Sequence, residues 1–208
     1  MNDQEFVQYN QQLFKKVAPN YKWLDLLASR CRGKFCNFLG DIQGLKILDV
    51  ATGTGQQALA MAKKGAIVTG ADLSEDMLHY AIRNDKQGLV HFEYANSTSL
   101  PFDNEVFDIT VMSFALHCMT HEIRMGTLKE MMRVTKKDGF IAFIDHCKPS
   151  KSIGKLIYSN IARFETPLYK QFLDTDFRQE LRLLDLDIVR HHKFFFETMQ
   201  MMACKYYH

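Results

Sequence analysis

A chain of 208 residues that is 47% hydrophobic can bury one sizeable core but is too short for two full domains. Its formal net charge of +2, with lysines and arginines scattered along the chain, sets nucleic acid aside as a partner. No apolar run nears the ~18 residues a membrane helix needs, and the N-terminus is polar and acidic, so a cytoplasmic protein without a membrane span is expected.

In chain order, Phe6, Tyr9, Leu13, Phe14 and Val17 recur at three- and four-residue steps, and Leu24, Leu26, Leu27 and Ala28 continue the pattern after Pro19. Two helices therefore lead the chain, and residues 1–40 read as a helical cap. Apolar runs of strand length follow at Lys46–Val50, Ala66–Asp72, Val90–Tyr94, Phe107–Ser113 and Phe140–Asp145, with helix-like stretches between most of them. Such alternation predicts parallel strands with helices on both faces: a doubly wound α/β sheet. Beyond the fifth strand, Ile153–Phe164 and Thr175–Leu184 read as helices flanking Pro167, the second capped by Thr175 or Asp174. The aromatic-rich stretch 148–185, with Tyr158, Arg163, Phe164, Tyr169 and Phe172, is expected to cover an acceptor as a lid. Ile188–Phe196 and Thr198–Tyr207 are strand-like runs separated by one acidic residue, and can pair only as a hairpin; Phe194-Phe195-Phe196 reads as buried strand. Seven strands in one domain over residues 1–208 result, the last of them antiparallel. The five cysteines (Cys31, Cys36, Cys118, Cys147, Cys204) are odd in number and lack metal-finger spacing, so reduced, buried thiols and no metal site are expected.

The most informative segment is Ile47-Leu48-Asp49-Val50-Ala51-Thr52-Gly53-Thr54-Gly55, an apolar strand running into a glycine loop that opens a helix at Gln56. Gly53 and Gly55 let the backbone turn tightly and approach a ligand, and the helix start offers free N–H groups, so a nucleotide-type cofactor is implied. The loop matches G-x-G-x-x-A loosely, with Asp72 19 residues beyond Gly53. Asp49 separates two ligand classes: a pyrophosphate is already anionic, whereas S-adenosylmethionine (SAM) carries an amino group and a sulfonium that a carboxylate helps to neutralise. Asp72 is placed to accept both ribose hydroxyls, with Ser74 as the better helix cap. Leu73 and Met77 are candidates to flank an adenine ring. Asn96-Ser97, after the third strand, puts a side-chain amide where an adenine amino group can be read, or else forms an Asx turn before Pro101. Ala51 and Ser113, at the ends of the first and fourth strands, complete the cofactor set.

With these pieces in register, the sequence resembles the class I, Rossmann-like SAM-dependent methyltransferases of the ubiquinone/menaquinone biosynthesis type. The likeness covers most of residues 14–147. It runs through Phe14-x-x-Val17-Ala18-x-x-Tyr21, the Asp49–Gly55 segment, Ala71-Asp72-Leu73-Ser74-x-x-Met77-Leu78, Leu100-Pro101-Phe102-Asp103, Phe107-Asp108 and Arg133-Val134-Thr135-Lys136-Lys137-Asp138-Gly139. It implies SAM as cofactor, S-adenosylhomocysteine as product, and a site built on Asp49, Gly53, Gly55, Asp72 and Asn96, with Tyr21 near the methionine end. The chain departs from the pattern at Asn96, where an aspartate is usual, at Lys22, and at His117-Cys118, where the quinone methylases carry Arg-Asn. The residues that accompany a quinone acceptor are thus unmatched, and the acceptor stays open among small molecules.

Methyl transfer is an in-line displacement, so the protein supplies alignment and water exclusion, plus a base only where the acceptor must lose a proton. His117, after the fourth strand, is the first candidate base because histidine changes charge near neutrality. Asp145 and His146, ending the fifth strand, are second-rank catalytic candidates for orienting or polarising the acceptor. Competing readings are an NAD-linked oxidoreductase, a nucleic-acid methylase, opposed by Ser113-Phe114-Ala115-Leu116 after strand four, and a SAM-binding protein without catalysis. Oligomeric state is open, a homodimer included.

Overall fold

The computed structural model describes residues 21–161 and 167–206, with side chains from residue 30 onward except at 158, 160 and 161. The helix expected over Phe6–Val17 lies outside these residues. The first described element, α1 (Tyr21–Leu39), runs well past Leu24–Ala28. Five strands then alternate with helices: β1 (Lys46–Val50), α2 (Gln56–Ala62), β2 (Ile67–Asp72), α3 (Glu75–Asn84), β3 (Val90–Tyr94), β4 (Phe107–Ser113), α4 (His121–Val134) and β5 (Thr135–His146), with a 3-10 turn at Leu116–Cys118. The end comprises α5 (Ser152–Ile161), α6 (Pro167–Asp174), α7 (Phe177–Arg182), β6 (Leu186–Phe194) and β7 (Met199–Tyr206).

The sheet has seven strands in the order β3-β2-β1-β4-β5-β7-β6. The first five pair in parallel, and β7 runs antiparallel between β5 and β6. Successive residues point to opposite faces, which divides the apolar runs between two cores. Leu48, Met112, Ile141 and Phe143 join α4, α6 and α7 through Leu128, Met131, Tyr169 and Leu181 on one side. Ile47, Ile109, Val111 and Ala142 join α1 and α2 through Phe35 and Met61 on the other. Both faces being covered is why β1 and β4 are almost continuously apolar. Cys36 and Cys204 sit in these cores as small hydrophobes.

Three local expectations give way. The expected helix Thr175–Leu184 is α7, one turn shorter, and its cap is Asp176, whose side chain accepts from the Gln179 amide; the Thr175 hydroxyl instead donates to the Gln171 carbonyl and closes α6. Pro167, read as a break, is the first residue of α6, where its missing N–H costs nothing. The Phe194–Phe196 run is not buried strand: only Phe194 is buried in β6, while Phe195 and Phe196 form the exposed hairpin turn with φ of 49° and 56°.

Strand order reverses between β1 and β4, whose neighbours lie on opposite sides, and beyond the carboxyl ends of the strands at such a switch point open α/β sheets bind their ligands.

Candidate active site

β1 delivers its chain into a loop with three left-handed residues, Ala51 (φ 55°), Gly53 (φ 54°) and Gly55 (φ 73°). Internal bonds hold it: the Thr52 amide donates to the Ala71 carbonyl (3.0 Å) and the Thr52 hydroxyl to Asp49 Oδ2 (2.7 Å). The two glycines divide a task that the sequence reading gave to both. A Cβ on Gly53 would meet nothing within 4 Å, so that residue leaves an open face. A Cβ on Gly55 would lie 2.9 Å from both Ala81 Cβ and Phe92 Cζ, so its bare backbone lets the loop seat on α3 and β3.

Asp49 is 1% exposed and, beyond the Thr52 hydroxyl on Oδ2, its Oδ1 is buried with no hydrogen-bond partner. Burial, reinforced by the neighbouring Asp72 charge, pushes its carboxyl from 3.8 up to about 7. Ser113 ends the neighbouring strand one step beyond the Val50–Met112 pair, and its hydroxyl is also buried without a partner. An orphaned acceptor and an orphaned hydroxyl near the carboxyl ends of two neighbouring strands suit a ligand whose end carries both an ammonium and a carboxylate. SAM fits this donor set. Asp72 ties two loops together, Oδ2 accepting from the Gly53 amide (2.7 Å) and Oδ1 from the Ser74 amide (2.9 Å). Ser74 caps α3 by accepting from the Met77 amide. Leu73 and Met77 are half-buried beside it.

The adenine side is more self-contained than expected. Asn96 Oδ1 accepts from both the Thr98 amide (3.0 Å) and the Thr98 hydroxyl (2.9 Å), so the Asx turn is what forms and that oxygen is engaged. The Ser97 hydroxyl bonds that of Thr127 at 2.8 Å. For Tyr21 only the backbone, at the start of α1, is described.

At the carboxyl ends of β4 and β5, His117, Asp145 and His146 come together. His117 Nδ1 lies 2.6 Å from Asp145 Oδ1, and the His146 amide donates to the same oxygen at 2.7 Å. Burial opposes charge on His117, but the facing Asp145 carboxylate outweighs it and holds the imidazole well above its usual range. Burial would likewise raise Asp145, and the His117 cation outweighs it, so that carboxyl sits low. His146 is pushed down to about 4, first by burial and then by the His117 charge. Pairing with Asp145 thus favours the charged form of His117, while burial favours the neutral form of His146. Sequence reasoning did not anticipate the contacts of Tyr169: 1% exposed on α6, it packs edge-on to both imidazoles and brings its hydroxyl 3.4 Å from His146 Nδ1. Gln57, buried at the start of α2 with its Oε1 unpartnered, was also missed. Among the described residues, His117, Asp145 and His146 are the group whose donor atoms, all within 4.8 Å of one another, are spaced to hold a metal ion. That grouping depends on strand pairing and cannot be read from spacing along the chain.

Residues 47–139 match the family model of a methyltransferase domain. A demethylmenaquinone methyltransferase of Clavibacter sepedonicus is 36% identical over 141 residues, 60% of this chain and 57% of that protein. One from Listeria welshimeri is 27% identical over 178 residues, 80% of this chain and 75% of that protein. The chain therefore spans little more than half of the first relative's length. A SAM-dependent methyltransferase of Aquifex aeolicus shares the fold, with a TM-score of 0.66 at 20% identity, over 83% of this chain and 88% of that one.

Proposed function

We propose that this chain, a class I methyltransferase resembling those enzymes, binds SAM at the carboxyl ends of β1, β2 and β4 and transfers its methyl group to a small-molecule acceptor by in-line displacement. The observation that carries the proposal is the buried, partnerless Asp49 Oδ1 on the strand that leads into the open-faced Gly53. Asp49 and Ser113 meet the amino-acid end, Ala51 and Gly53 admit the ligand to the backbone, Asp72 meets the ribose, and Leu73 and Met77 flank the base. Asn96 and Ser97 shape the loop below it, Gly55 seats the cradle on α3, and Tyr21 belongs to the cap. A buried carboxylate at this point repels a pyrophosphate, which disfavours the NAD-linked alternative.

When bound, SAM supplies an electrophilic methyl group, and the protein's contribution is alignment and exclusion of water. His117 and Asp145 form a fixed ion pair on the acceptor side. His146, held neutral by burial and by its neighbour's charge, stands beside His117 as a candidate to accept a proton from the acceptor, its free form available at neutral pH though weakly basic. Tyr169 orients the His146 ring from α6. The same reading takes residues 1–208 as one cytoplasmic domain, free of nucleic acid, with a homodimer as an admissible state.

The test is product detection by mass spectrometry after incubation with SAM and an acceptor panel headed by a demethylated quinol, the substrate type named for the relatives. A methylated product that disappears in Asp49→Asn supports the proposal; SAM consumption by no acceptor, with normal binding of NAD⁺, overturns it.

A further inference from the structure

The end of the sheet that holds the candidate site also carries an exposed apolar surface that methyl transfer does not use. At the tip of the β6–β7 hairpin Phe195 and Phe196 are 43% and 55% exposed, and Phe195, Phe196 and Glu197 all have left-handed backbones, with φ of 49°, 56° and 64°. Side chains with a Cβ adopt that conformation only against steric resistance. The turn thus accepts strain and holds two aromatic rings in water, an arrangement that marks an interaction surface. The start of α5 extends it: Gly154 sits hard against the Phe196 carbonyl and Pro149, and the flanking Ile153 and Leu156, three residues apart on one helix face, are 60% and 67% exposed.

Charge around this surface is one-sided. Among the described residues, Glu197 is bound by Lys151 (3.0 Å) and Asp174 by Lys148 (2.7 Å). Lys155 and Lys193 are exposed beside the apolar residues, and Lys34 reaches over the Phe194 ring at 5.5 Å, adding cations on a chain whose net charge is only +2. Apolar and aromatic side chains ringed by lysines match a bilayer interface, where the former enter the headgroup–acyl boundary and the latter meet anionic headgroups.

We propose that the β6–β7 turn and α5 dock this protein on an anionic bilayer surface, with Phe195, Phe196, Ile153 and Leu156 inserted and Lys34, Lys155 and Lys193 on the headgroups. The turn adjoins the site directly: the Cys147 amide donates to the Thr198 carbonyl at 3.0 Å, and His146 pairs with Met199. Docking therefore sets the carboxyl end of β5, with His146, next to the membrane.

Sedimentation with vesicles tests this without SAM. Full-length protein should pellet with vesicles of phosphatidylglycerol and phosphatidylcholine, much less with phosphatidylcholine alone, and less again as salt rises. Phe195→Ser/Phe196→Ser and, separately, Lys155→Glu/Lys193→Glu should each lower partitioning at least tenfold while keeping the melting temperature and SAM affinity. Absence of wild-type pelleting, or equal pelleting of both variants, overturns docking; so does a concentration-dependent dimer that the Phe variant abolishes, which would assign the surface to a second copy. Vesicle binding without SAM binding would sink the site assignment alone, and the reverse result the docking alone.

Discussion

Asp49→Asn separates stability from function in opposite directions. The folded carboxyl is raised from 3.8 to about 7, so the folded state retains a proton that the unfolded chain releases, and stability falls as pH climbs between those values. At about 1.4 kcal/mol per tenfold change in proton affinity, ionised Asp49 costs the ligand-free fold on the order of 4 kcal/mol at pH 8. Asparagine removes the charge but offers an amide where Oδ1 now has no partner, returning roughly 1–3 kcal/mol of the gain. The net is a stabilisation of roughly 1–3 kcal/mol, or a melting temperature about 2–10 °C higher at pH 8, and the gain is largely gone at pH 5, where protonating the carboxyl on folding costs only about 2 kcal/mol and the unpaired amide offsets it. SAM affinity should fall by roughly 10- to 100-fold, as for loss of a charged partner. Melting by circular dichroism at both pH values and calorimetric titration of SAM read the two effects. A variant that melts lower at pH 8 by as much as at pH 5, or that binds SAM normally, refutes the reasoning.

Gly55→Ala should cost roughly 2–5 kcal/mol, adding overpacking against Ala81 and Phe92 to left-handed strain, whereas Gly53→Ala should cost only about 1–2 kcal/mol but weaken SAM binding; thermal melts showing the reverse order would contradict the division of labour. Glu180 accepts both Arg124 Nε and Nη2 at 2.7 Å, and Arg124 is 2% exposed, so Glu180→Gln strands a buried cation and should cost roughly 3–5 kcal/mol by denaturant unfolding. Since burial opposes the Glu180 charge but Arg124 outweighs it, that carboxyl is lowered, and its contribution should persist at neutral pH and fade as pH falls through the acidic range. If the acceptor loses its proton to His146, the rate of methyl transfer should stay level down to about pH 5 and drop near 4, and His146→Gln should slow it by roughly 100-fold or more. A profile that instead breaks near 6.5 would return the base role to an unpaired imidazole.

What the sequence made legible was local. Lys46–Val50, Val90–Tyr94 and Phe107–Ser113 are strands within the bounds their sequence predicts: the first and last are central strands whose burial is written in their own residues, and Val90–Tyr94, at the sheet edge with only Val90 buried, shows itself by alternating apolar and polar residues. The roles proposed for Asp49 and Gly53 were legible because a carboxylate and a missing Cβ announce themselves without neighbours from other elements. The packing role of Gly55 was not legible because it lies in Ala81 and Phe92, brought up by other elements. The charge of His117 was hidden for the same reason, its partner lying 28 residues away on the next strand. The Phe194–Phe196 run could not be split by pattern alone, since a three-residue apolar stretch looks alike in a strand and at a strained hairpin tip.

Calorimetric titration of the wild-type protein with SAM and, separately, with NAD⁺ tests the central claim most directly. The account predicts saturable one-to-one binding of SAM, displaced by S-adenosylhomocysteine and weakened by both Asp49→Asn and Asp72→Ala, with no heat from NAD⁺. Saturable binding of NAD⁺ and none of SAM would contradict it.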